Sequence, residues 1–207
     1  MSPETSDPDP AEAARLRAAI ARFDAANAGD PNREPVGGVE QPRELVYARR
    51  MTDVLDGFAP DASEVVRLAA RCQHIRRWTI PRADYPDGRD GYRRWRSDLG
   101  RFHADTAGAI LRDVGYGEDT VARVGALLRK ERLKADPEVQ LLEDVACLVF
   151  MEHYLPAFAR QHDEEKLAGI LRKTWRKMSA RGQAAALKLD LDPALRELVV
   201  RAAAPQD

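Results

Sequence analysis

The chain has 207 residues, 44% hydrophobic and 32% charged, enough for one domain with a sizeable core. A formal net charge of −1 gives no whole-chain reason to bind a polyanion, and no apolar run reaches the roughly 18 residues of a membrane span. Two cysteines, Cys72 and Cys147, each inside a helical pattern, argue against a disulfide framework and for a reducing compartment.

The N-terminus MSPETSDPDP is acidic and rich in Pro, the opposite of a signal peptide, so a cytoplasmic location is expected and Met1 to Pro10 should be disordered. Residues 11–204 then read as a single helical domain. The first helix follows Pro10, with Leu16, Ile20 and Phe23 on one stripe. Residues 29–42 carry Gly and Pro at the density of a surface loop. RELVYARRMTDVLDGF is the second helix, stopped by Gly57 to Pro60. Asp61-Ala-Ser-Glu opens the third, which is expected to run on through EVVRLAARCQHIRRW.

After an irregular stretch from Pro81 to Gly91, a fourth helix reaches Val114, with Gly100 as the place for a kink. The fifth is expected from Glu118 to about Lys134. Asp136-Pro137-Glu138 is a strong helix start, a capping side chain followed by Pro where no amide donor is needed, and that helix should continue to Tyr154. EEKLAGILRKTWRKMS and ALRELVVRAAA complete the set. No alternating strand pattern and no internal repeat is evident, so the class is all-α, a single-domain bundle.

Three features could carry chemistry. Glu143 and Asp144 stand side by side in the apolar stretch LLEDVACLVFM, where an isolated charge is costly and needs a cation or donors nearby. Asp144 lies too deep in its helix to serve the first-turn amides. It is either a site carboxylate or the partner of an Arg from another helix. His103 falls near the centre of the apolar face drawn by Leu99, Phe102, Thr106, Ala107, Ile110 and Val114. His74 shares a side with Val66, Ala70 and Trp78, away from the main stripe of its helix.

The third feature is a concentration of Arg. Of 33 basic residues only six are Lys, and between Arg71 and Arg101 stand nine Arg, no Lys and four Asp, a local net of +5. Trp78, Tyr85, Tyr92 and Trp95 are interleaved with them. Guanidinium groups fork onto phosphate or carboxylate and stack on rings, so the block suits an anion, a nucleotide, RNA or a homodimer interface. Arg76, Arg77, Arg82, Tyr92 and Arg96 are the expected anion-binding residues.

The order His74, His103, Asp144 on successive helices, with the segment HADTAGAILRDVGYGEDTVARVGALLRKERLKADPEVQLLEDVACLVF, resembles the HD-domain superfamily of metal-dependent phosphohydrolases. The resemblance implies an HD-like helical fold and a divalent metal (zinc, manganese or iron) held by His74, His103 and Asp144. It also implies Asp144 and Glu131 as catalytic carboxylates. Where that superfamily has its His-Asp pair, this chain reads Tyr92-Arg-Arg-Trp-Arg-Ser-Asp, leaving Asp98 as the nearest ligand type.

HIRRWTIPRADYP, GYRRWRSDLGRFHA, LEDVACLVFMEHY and ILRKTWRKMS more closely resemble the signature of a family of unknown function found in bacteria and fungi, over roughly Glu44 to Leu189. The expectation that follows is an HD-like enzyme, metal-dependent in its standard form, acting on a phosphorylated or other anionic small molecule. The alternative is a non-catalytic nucleotide- or RNA-binding module that uses the Arg and aromatic residues.

Overall fold

Residues 9–204 are described by a computed structural model. The expected disorder of Met1 to Pro10 lies outside the described residues, save that Asp9 caps the first helix and Pro10 begins it.

The described chain is mostly helical, with ten α-helices and one short two-stranded sheet. It gathers into two compact units. The first holds the residues up to Arg49 together with Ser63–Arg129, and the second holds Arg50–Ala62 and the residues from Lys130 on.

In the first unit, α1 (Pro10–Ala28) buries Ala19, Phe23 and Asn27. The segment read as a loop then forms a hairpin, β1 (Arg33–Val36) paired antiparallel with β2 (Val39–Pro42), which corrects the purely α reading. Gly37 and Gly38 (φ 59° and 81°) supply the two left-handed positions that a two-residue hairpin turn demands. Four-residue strands with exposed or half-buried positions leave too weak an alternation to read. Asp30, 1% exposed, accepts from the amides of Asn32 and Glu44, both at 2.9 Å, and so ties the entry of the hairpin to the start of α2 (Arg43–Phe58).

α3 (Glu64–Cys72) starts from the cap Ser63, whose hydroxyl accepts from the Val66 amide at 3.3 Å. It ends at Cys72 and does not run on to Trp78 as expected. Arg76 takes a left-handed φ of 49°, and its amide donates to Asn27 Oδ1 at 2.9 Å, a tertiary bond that overrides helical continuation. α4 (Gly88–Asp113) continues through Gly100 and packs on α5 (Glu118–Leu128), with α1 and α3 against the same pair. Gly91 has no room for a side chain, since a Cβ there would collide with the Pro86 carbonyl.

α5 stops at Leu128, short of the expected Lys134, because Lys130, Arg132 and Lys134 all have positive φ. In the second unit Lys134 Nζ donates to the carbonyls of Lys177 (2.8 Å) and Met178 (3.0 Å), a cation placed at a helix C-terminus. α6 (Pro137–Val149) begins at the Asp136 cap, as its sequence predicts, and passes into a π-turn over Phe150–Tyr154 before α7 (Leu155–Ala159). α8 (Glu164–Lys177), α9 (Ala180–Ala186) and α10 (Pro193–Ala203) follow. α9, seven residues after the cap Ser179, is too short for periodicity to reveal. Met151, Leu155, Leu171, Leu195 and Val199 are among the core residues of this unit. Among the described residues no helix is long and apolar enough to cross a membrane.

Candidate functional site

The first unit contains a largely buried polar cluster built from four elements. α2 brings Glu44 on its first turn, 8% exposed, with Tyr47 one turn on. The turn after α3 brings His74 and Arg77, and α4 brings Trp95 and His103. His74 stacks on Tyr47 with ring centroids 4.0 Å apart and meets the ring of His103 edge-on at 6.0 Å. Asn27 of α1 braces the cluster, its amide group donating to the Glu44 carbonyl at 3.4 Å while its Oδ1 receives the Arg76 amide.

The partners fix the proton positions. Arg77 Nη1 lies 3.3 Å from His74 Nε2, and a guanidinium only donates, so Nε2 is the acceptor. Nδ1 of His74 therefore carries the hydrogen and faces Glu44 Oε2 at 3.3 Å. His103 Nδ1 lies 2.7 Å from the Gln73 carbonyl, which only accepts, so Nδ1 is again the donor and Nε2 again a bare lone pair. Unlike that of His74, this Nε2 has no hydrogen-bond partner, although the residue is only 3% exposed.

Charge in the cluster is out of balance. Burial pushes the Glu44 carboxyl up to about 7, against the pull of Arg77 and Arg43. Burial also pushes His103 down to about 3, helped by the charges of Arg77 and Arg96, so its imidazole is neutral at any ordinary pH. Arg77 is lowered by burial, and its guanidinium lies over the Trp95 ring at 4.8 Å and 3.9 Å from Glu44 Oε1.

The expected site residues divide between the two units. His74, Arg77 and His103 come together, with Arg96 near enough for its charge to act on both Arg77 and His103. Tyr92 is 50% exposed and contacts Trp95 at 5.8 Å between centroids. Arg76 is exposed beside them in sequence. Arg82 is spent on structure, its guanidinium donating to the carbonyls of Tyr85 (2.7 Å) and Pro86 (2.9 Å). Asp98 accepts from the Tyr85 hydroxyl at 2.9 Å and pairs with Arg101.

Asp144 and Glu131 belong to the second unit. Asp144, 2% exposed, accepts from the Ser179 amide (2.8 Å), the Ser179 hydroxyl and Gln140 Nε2 (3.0 Å). Its partner is thus a helix cap and not the Arg considered from sequence. Glu143 beside it pairs with Lys130 and, at 3.7 Å, with Lys177. Glu131 sits exposed in the turn after α5.

These contacts do not fit one ion shared by His74, His103 and Asp144. Both oxygens of Asp144 are occupied, and His74 Nε2 faces a guanidinium. Among the described residues no three His, Cys, Asp or Glu side chains form a group that could hold a metal ion. Glu44 is the residue that the sequence reading missed. The cue was present: Glu44, Ala48, Met51 and Leu55 fall on one stripe of α2, and the first of them is a carboxylate at an otherwise apolar position.

Residues 17–199 match a family described as a domain of unknown function, DUF4202, and the chain belongs to that family. No curated protein and no solved structure matches the chain.

Proposed function

We propose that this DUF4202 member is an enzyme acting on a phosphorylated or other anionic small molecule at the cluster of the first unit. Arg77, with Arg96 and Arg76, takes the anion; Glu44 exchanges a proton with the reacting group; His74 steadies the Glu44 carboxylate through Nδ1–H. The observation that carries the reading is Glu44 itself. A buried carboxyl raised to about 7, 3.9 Å from a guanidinium, has the proton affinity that general acid–base catalysis wants near neutral pH. Two guanidinium charges, Arg77 and Arg96, acting at the same place support a phosphorylated ligand, and hydrolysis is the reaction class proposed. Nothing in this scheme is routed through a metal.

The test is hydrolysis of a panel of nucleotides and sugar phosphates by the full chain and by Glu44→Gln. Turnover of at least one member is expected, falling about 100-fold or more in Glu44→Gln. No turnover across the panel would contradict the enzymatic reading. Oligonucleotide binding without turnover would favour the second reading, a nucleotide or RNA grip, which the half-exposed Tyr92 against Trp95 supports.

A further inference from the structure

The proton inventory of the cluster constrains its ligand beyond a negative charge. His103 is held on three sides: its Nδ1–H is given to the Gln73 carbonyl, and its ring meets His74 and Phe102 edge-on, each at 6.0 Å. What remains is Nε2, a lone pair that nothing among the described residues satisfies. A buried acceptor left without a donor loses the hydration it had in the unfolded chain and gains nothing in return. The neighbouring charges are Arg77 and Arg96, so a cation is a poor occupant, while an anion placed on those guanidinium groups would bring the rest of its molecule beside the imidazole.

We infer that the anionic molecule taken by this site also carries, apart from its anionic group, an alcohol hydroxyl that donates to Nε2 of His103. The inference rests on the anion reading above and adds a second recognition element to it. Polyol phosphates and sugar phosphates have both groups; the dianion of a simple alkyl phosphate offers the anion alone. His103 is then a specificity residue. Because its imidazole stays neutral, it selects by accepting a hydrogen bond and does not take the proton.

The experiment compares binding of methyl phosphate with that of glycerol 3-phosphate and ribose 5-phosphate to the full chain at low salt, at a mildly alkaline pH that keeps all three phosphates dianionic. The imidazole nitrogens are followed by NMR in the same titrations. At least one hydroxylated probe should bind about tenfold tighter than methyl phosphate, a factor of the size one hydrogen bond supplies. The same probe, and not methyl phosphate, should move the Nε2 resonance of His103 in the direction of hydrogen bonding. His103→Phe should erase the preference, so that the hydroxylated probes bind no tighter than methyl phosphate to that variant. Equal binding of all three probes with an unmoved Nε2 resonance overturns the inference and spares the anion reading. No binding by any of them overturns both. Should His103→Phe fail to fold, the wild-type resonance decides.

Discussion

Asp144→Ala should lower the unfolding free energy by about 3 kcal/mol, read from denaturant curves, while phosphate binding by the folded protein changes less than about twofold. The substitution strips the acceptor from three donors at once: the Ser179 amide, the Ser179 hydroxyl and Gln140 Nε2. It also frees the Ser179 hydroxyl, whose oxygen accepts from the Gly182 amide at 3.0 Å at the start of α9. Because the two side chains act in series, Ser179→Ala combined with Asp144→Ala should cost less than the sum of the single changes. Gly182 belongs to the same arrangement, since a Cβ there would stand 2.7 Å from Asp144 Cγ. A large fall in binding with unchanged stability would return Asp144 to the functional site.

Glu44→Gln should change how stability depends on pH. Between pH 4.5 and about 7 the native protein holds a proton on Glu44 that the unfolded chain has released. Stability contributed by this group is therefore full below 4.5 and is lost as pH rises to 7, a total of about 3 kcal/mol. The groups bearing on it are Arg77, Arg43, Asp30 and Glu34, with His74 in contact. Relative to wild type, the Gln variant should gain about 1.4 kcal/mol per pH unit across that window and level off above it. His103 tilts the other way. Its pKa of about 3 means that the unfolded chain binds a proton below 6.5 that the native state refuses, so its contribution falls with acid. A difference curve for Glu44→Gln that is flat with pH would show that Glu44 titrates normally.

Much of the helical framework was legible because its signals are local. Asp136-Pro137 starts α6, and His103 and Asp144 are buried as their apolar neighbours require. What escaped was decided by partners distant in sequence. α3 stops where Asn27 captures the amide of Arg76, and the turn after α5 is shaped by Lys130 reaching Glu143 and Lys134 reaching the end of α8. The site shows the same division. The Arg block and the two His residues were visible as types, but Glu44 enters from 30 residues before His74, as a single acidic break in an apolar stripe. Asp144 was conspicuous for a physical reason, burial of charge, that a buried cap produces as readily as a reaction does.

In the proposed site Arg77, held between Glu44, His74 and Trp95, receives the anion. Inorganic phosphate binding to the full chain, measured by calorimetry over a salt series for wild type and Arg77→Met, tests this most directly. Met keeps the apolar bulk over Trp95 and removes the charge. Saturable binding that weakens with salt and falls about tenfold or more in Arg77→Met is the expected result. Identical isotherms for the two proteins, or no saturable binding by wild type, would contradict it.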